Sequence, residues 1–348
     1  MSFDSFTQAI PKVELHVHLE GSILPETLLA LARNNKVELP ARTIEELRHW
    51  YVFTDFPHFA EVYQTISRCI RTTDDIELIT RDFLRGQAAQ NIRHSEVTYT
   101  AITQYWNYRL PFSEQLAAIN RARAWGEKEL GVSMDLIIDV PRELASPEDG
   151  MLVADWAIGG MGNGVAALGL GGYEVGHPPE KFVKAFQRAR EAGLPAVPHA
   201  GETMGAESIR GALHKLHAVR IGHGVRCLED ARLVGELRER RIPLEVCPTS
   251  NVCLNVARTL SEHPFPRLMK EGLYVTINSD DPPIFNTTLT KEYTEVARTF
   301  GLGAKEMEEF SLNALRASLL SDQRRNELEK EFVEEFMRLR GEIEHREE

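Results

Sequence analysis

Along this chain, short apolar or β-branched runs alternate with stretches of helical periodicity, and polar or glycine-rich turns separate the two. Eight runs read as strands: residues 13–19 (VELHVHL), 93–100 (RHSEVTYT), 134–140 (MDLIIDV), 165–171 (VAALGLG), 195–199, 219–222, 243–247 (PLEVC) and 273–278 (LYVTIN). Between them, stretches such as 180–192 (EKFVKAFQRAREA) and 229–240 (EDARLVGELRER) place apolar side chains at i, i+3 and i+4 and charges elsewhere, the pattern of helices with one buried face. Strands alternating with helices imply parallel pairing through right-handed crossovers. Eight such units predict a (β/α)8 TIM barrel, with an open doubly wound sheet as the rival. No internal repeat is visible as sequence identity.

The first connection, residues 21–91, is too long for a plain crossover. It holds at least three helical patterns, including 25–35 and 57–71 (PHFAEVYQTISRCIR). An insertion after the first strand lies over the C-terminal face of a barrel, where active sites sit, so it reads as a helical lid. Phe53, Phe56, Phe59 and Tyr63 are candidates to wall an apolar pocket, or else to pack the lid helices on one another. Residues 321–348 form a strongly charged helical tail, read as a solvated face without a function. The whole chain, 1–348, is expected to be a single barrel domain.

Composition narrows the function classes. With 348 residues, 43% apolar and 26% charged, the chain is neither disordered nor a coiled coil. A net charge of −12 argues against a nonspecific hold on nucleic acid or on anionic lipid. No apolar run approaches the ~18–20 residues that span a bilayer. The start, MSFDSFTQAIPK, lacks the basic and apolar segments of a secretory signal. Cys69, Cys227, Cys247 and Cys253 contain no CxxC spacing. The expectation is a cytoplasmic protein with a small-molecule partner and no nucleic-acid or membrane partner; the oligomeric state stays open.

The candidate chemistry gathers at the ends of the predicted strands. His16 and His18 share one face of the first strand, since residues i and i+2 point the same way. His199 ends the fifth run in PHAGET, with Glu202 three residues on; His223 follows the sixth in RIGHG; Asp280 and Asp281 follow the eighth in NSDDPP. A lone histidine is ordinarily a hydrogen-bonded buried residue, and adjacent aspartates ordinarily cap a turn. Their coincidence at one rim points instead to metal-assisted hydrolysis. Imidazoles with a carboxylate suit Zn²⁺, which lowers the pKa of bound water from 15.7 to about 7. Glu202 is then placed to shuttle protons, and His223 to orient or deprotonate the water. Strand four ends in GLGG without a lysine to bridge two metals, so one zinc per chain is expected. Gly171 and Gly172 would let a flat ligand lie against the backbone. Cys247 and Ser250 in EVCPTSN read as pocket lining rather than nucleophiles.

Taken in order, PKVELHVHLEGSILPETLLALAR, GLGGYE, HAGET, RIGHG, EVCPTSN and TINSDDPPIF closely resemble the motifs of the adenosine deaminase family of the amidohydrolase superfamily, from about residue 11 to 313. The resemblance implies a (β/α)8 barrel with one catalytic zinc held by His16, His18, His199 and Asp280. It makes Glu202 the group that protonates purine N1 and His223 the group that activates water, with Asp280 counted in the catalytic set. Asp281 and the Gly172 amide match contacts to N7 and N3 of the purine. The zinc deaminases built on H-x-E and P-C-x-x-C are a different type, and no PCxxC occurs here.

One position departs from the nucleoside-specific pattern: Glu20 stands where aspartate is typical, at the place expected to meet the sugar. Relatives acting on free adenine also carry glutamate there, but usually read RIDHG and an acidic residue after HAGE, where this chain has Gly222 and Thr203. The combined texture resembles the branch that includes 6-aminodeoxyfutalosine deaminases of menaquinone biosynthesis. The resemblance therefore implies hydrolytic deamination of a 6-aminopurine nucleoside with Glu20 on the substrate side, and the lid reading adds Phe56 and Phe59 as substrate-side candidates. The alternatives are an adenine deaminase, a non-deaminating barrel amidohydrolase and a silent binding protein on the same scaffold.

Overall fold

Residues 2–344 are described by the computed structural model of the chain. Eight strands run in chain order around one ring: β1 (Lys12–His18), β2 (Ile92–Tyr99), β3 (Ser133–Pro141), β4 (Val165–Gly171), β5 (Ala196–Ala200), β6 (Ile221–His223), β7 (Pro243–Val246) and β8 (Tyr274–Ile277). Every neighbouring pair from β1·β2 to β7·β8 is parallel. The ring closes where the His18 amide donates to the Asp280 carbonyl at 2.9 Å and the Asp280 amide donates to the His16 carbonyl at 3.1 Å. The architecture is a (β/α)8 TIM barrel, and each of the eight apolar runs falls on a strand.

Helix boundaries follow local chemistry. The stretch 180–192 divides into a 3₁₀ turn, Pro179–Phe182, and an α-helix, Val183–Glu191. The stretch 229–240 becomes a helix, Ala231–Glu239, whose cap Asp230 accepts from the amides of Arg232 and Leu233.

Between β1 and β2 stand a 3₁₀ turn, Glu20–Ser22, and four helices: Pro25–Asn34, Ile44–Trp50, Phe56–Ser67 and Thr73–Ala89. Asp55 caps the third by accepting from the His58 amide, and Thr72 with Asp75 forms a capping box on the fourth. On the Phe56–Ser67 helix, Phe56, Phe59 and Tyr63 occupy i, i+3 and i+7, one face, and that face covers the barrel mouth. Phe56 stacks on Tyr173 at 5.2 Å between ring centroids and Phe59 stacks on Phe285 at 5.5 Å. Phe53 instead packs edge-on against Phe59 and Phe285, behind the wall.

The charged tail differs from its sequence reading. A helix runs Asp322–Glu344, and Leu328, Phe332, Phe336 and Leu339 are buried against the barrel. Their spacing of four, four and three residues is a narrow apolar stripe hidden in a run of charges, so one face of the tail is core. Residues 345–348 of the expected tail lie outside the described residues. Among the described residues no helix is long and apolar enough to cross a membrane.

Candidate active site

The C-terminal ends of β1, β5, β6 and β8 bring His16, His199, His223 and Asp280 together, with one donor atom from each lying within 4.8 Å of the others. His18 joins them: its Nε2 is 3.1 Å from His199 Nε2 and 3.2 Å from Asp280 Oδ1. His16 Nε2 lies 3.5 Å from the same carboxylate oxygen and has no hydrogen-bond partner although it is buried. Buried imidazole nitrogens converging on one carboxylate, one of them without a hydrogen-bond partner, make a donor set that suits a metal ion. The residues therefore fit a metal ion. Asp280 and His223 both adopt left-handed backbone, at φ 67° and 61°, a conformation uncommon outside glycine and found at sites where side chains must be aimed.

The surrounding groups set the protonation states this chemistry needs. Burial alone would raise the Asp280 carboxyl, but the adjacent imidazoles of His16 and His18 outweigh it and hold the group well below the usual carboxylate range. Burial lowers His223 to about 4 and lowers His199 well below its ordinary value. Both rings are therefore neutral, with lone pairs available. Behind His16, Glu245 Oε2 lies 2.9 Å from Nδ1. Arg220, itself buried, donates to Glu245 at 2.6 Å and to Glu96 at 2.5 Å, so the chain of charges is closed. Asn251 Nδ2 sits 3.3 Å from His223 Nδ1, and its carbonyl oxygen is 3.0 Å from His263 Nε2.

Glu202 is buried, 3.6 Å from His223 Nε2. Burial, followed by the charges of Asp280 and Glu174, raises its carboxyl well above the ordinary range. Its turn is held by Glu174. One Glu174 oxygen accepts from the amides of Glu202, Thr203 and Met204, the other from the Gly201 amide and the Ser208 hydroxyl.

A cavity opens above this cluster. His18, His199, Glu202, His223, Asp280 and Asp281 line its floor, Phe56, Phe59 and Tyr63 its lid side, and Gly172 its β4 edge. Asp281 Oδ1 is buried without a partner, and burial plus the neighbouring Asp280 charge raises the group well above its usual range. Glu20, placed by sequence beside the sugar, is not part of the lining. Its oxygens accept from the Thr100 amide at 3.0 Å and the Tyr63 hydroxyl at 3.2 Å, so it holds the wall from behind. Cys247 and Ser250 also lie off the lining, fully buried, with the Cys247 thiol directed at the Glu245 carbonyl. Side chains crowd both glycines, since a Cβ at Gly171 would meet Asp139 Oδ2 at 2.5 Å and one at Gly172 would overlap Glu143, while Gly172 keeps its place on the cavity edge.

Sequence reasoning missed Glu245, Glu174, Asp139 and Asn251. Glu245 and Asn251 stand inside EVCPTSN and Glu174 inside GLGGYE, so the motifs carried the signal, but nothing in spacing tells a ligand from the group that orients it. Asp139 ends a strand as His199 does, and that position was its signal.

The fold and the placement of the site define a barrel enzyme with its chemistry at the C-terminal mouth. A model of the adenosine deaminase family matches residues 11–335, and the chain belongs to that family. It is similar to an aminodeoxyfutalosine deaminase from Streptomyces avermitilis, 41% identical over 321 residues that cover 91% of this chain and 88% of the relative. The crystal structure of an adenine deaminase from Arthrobacter aurescens superposes with a TM-score of 0.89 at 37% identity, covering 94% of this chain and 99% of that one. An amidohydrolase from Burkholderia ambifaria, solved with bound Zn, gives 0.90 at 27% identity, with 98% and 94% covered.

Proposed function

We infer that the protein removes the 6-amino group of an adenine ring by hydrolysis, releasing ammonia, and that its substrate is a 6-aminopurine nucleoside. The observation that carries this reading is the convergence of His18, His199, His223 and Asp280 on the floor of one cavity, with His16 directly beneath them, beside a carboxyl group biased toward its protonated form. One zinc ion held by His16, His18, His199 and Asp280 would supply Lewis-acid polarisation and a water of lowered pKa. Glu202 holds the proton that the ring takes up at N1, and losing that proton leaves a carboxylate able to accept another. His223, neutral and 3.6 Å from Glu202, is placed to take a proton from the attacking water. Asp281, biased toward its neutral form, has a proton to donate to N7. Phe56 and Phe59 cover the ring and exclude bulk water from these transfers.

Similarity to an aminodeoxyfutalosine deaminase supports the 5′-extended nucleoside, which would place the reaction in menaquinone biosynthesis; adenosine is the simpler nucleoside of the same class. Similarity to an adenine deaminase of known structure supports a second reading, in which the free base is the substrate. Steady-state kcat/KM for 6-aminodeoxyfutalosine, adenosine and adenine, followed by ammonia release, separates them. The nucleoside reading expects one of the first two to exceed adenine; adenine as the preferred substrate would contradict it.

A further inference from the structure

The catalytic groups occupy β1, β5, β6 and β8; of the other four strands, β2, β3 and β4 build the opposite side of the cavity. Two carboxylates from the end of β3 face it there. Asp139 is 3% exposed and lines the cavity. Its Oδ1 accepts from the Thr100 hydroxyl at 2.7 Å, and its Oδ2 lies against Gly171. Glu143, four residues on, also lines the cavity, and its Oε2 accepts from the Tyr173 amide at 3.2 Å. Both side chains rest in spaces that exist because β4 ends in two glycines, Gly171 under Asp139 and Gly172 under Glu143. Among the described residues no lysine or arginine lines the cavity.

This placement faces a definite part of the ligand. With C6 over the histidine cluster and N1 toward Glu202 on the β5 side, the N3–N9 edge of a purine points across the cavity to β3 and β4. What hangs from N9 then meets carboxyl oxygens placed to accept hydrogen bonds. A free base offers one N–H at that edge; a ribose offers two adjacent hydroxyl donors.

We propose that Asp139 and Glu143 form a sugar-recognition wall that accepts hydrogen bonds from the ribose hydroxyls of the substrate, and so select a ribonucleoside over a free base. The proposal rests on the aminopurine reading given above. Gly171 and Gly172 then serve to seat these two side chains, and the Glu20–Thr100–Asp139 relay, with Tyr63 on Glu20, ties the wall to the lid.

Binding tests this without turnover. The intact, metal-loaded protein is titrated calorimetrically with inosine and with 2′,3′-dideoxyinosine, as wild type and as Asp139→Asn, Asp139→Ala and Glu143→Gln. Wild type is expected to bind inosine about 10- to 100-fold more tightly, the range for hydrogen bonds to a charged partner. The ratio should shrink in Asp139→Ala and Glu143→Gln, with Asp139→Asn intermediate, while affinity for the dideoxy compound changes little. Equal affinity of wild type for the two compounds would overturn the proposal. So would a loss in the variants that falls equally on both, because that is the mark of a merely structural role. Failure of the functional reading would register elsewhere, as absence of ammonia release by a wild-type protein that still prefers inosine.

Discussion

Glu245 Oε2 lies 2.9 Å from His16 Nδ1, and both groups are buried. That contact decides which nitrogen His16 offers to the cavity: with Nδ1 engaged by a carboxylate, Nε2 is the free lone pair. Glu245→Gln keeps the shape but removes the charge that holds this tautomer. Metal affinity should fall by about 10- to 100-fold, the usual effect of losing such an orienting partner, as read by competition with a chelator. An unchanged affinity would mean that Glu245 serves only Arg220.

Glu174 should behave differently. It touches no proposed ligand side chain; it collects the amides of the turn that carries Glu202. Burial raises its carboxyl, yet the Arg142 charge, the Ser208 hydroxyl and those amides outweigh that and lower it. Glu174→Gln should leave metal content intact and cut kcat by about 10²-fold, since catalytic groups displaced by ~1 Å lose rate on that scale. Full activity would show that the turn holds itself.

These two residues mark how far the sequence could be read. The eight strands were legible because a barrel strand is a short apolar run bounded by turns, and the chain carries eight of them with helical stretches between. His16, His18, His199, His223 and Asp280 were legible because strand ends in this fold share one rim. Orientation was not: Glu20 stands two residues after His18, yet turns to Thr100 and Tyr63, because the 3₁₀ turn at Glu20–Ser22 redirects the chain. The tail was misread for a related reason. Scattered apolar residues among many charges carry little average hydropathy, yet Leu328, Phe332, Phe336 and Leu339 lie on one helix face.

That face gives a stability prediction. Phe336 is 1% exposed in the barrel-side core, and large-to-small changes at such sites cost about 3–5 kcal/mol. Phe336→Ala should lower stability by that amount in denaturant unfolding, while Met337→Ala, next to it but 59% exposed, should cost far less. Equal costs would mean that the tail does not pack as described.

Glu292 supplies a pH dependence away from the catalytic cluster. Burial raises its carboxyl to about 7, against the help of Thr249 and Thr287. The folded state therefore binds this proton more tightly than the unfolded chain does, and this group favours folding most at low pH. Its contribution is lost as pH rises from about 4.5 toward 7, and above that the buried charge carries its full cost. Glu292→Gln should flatten that part of the stability profile and raise stability at pH 8 by about 2–3 kcal/mol. A profile that keeps its slope would assign the titration to another group.

The central claim is that water displaces ammonia at C6, with Glu202 supplying the proton. The direct measurement is turnover in ¹⁸O-labelled water with metal-loaded protein, following ammonia and the mass of the purine product for 6-aminodeoxyfutalosine, adenosine and adenine. With at least one nucleoside, the account predicts one ¹⁸O incorporated per ammonia released. It also predicts a drop of about 10²–10⁴ in rate for Glu202→Gln at unchanged metal content. No ammonia and no label from any of the three substrates, with the metal site full, would contradict it.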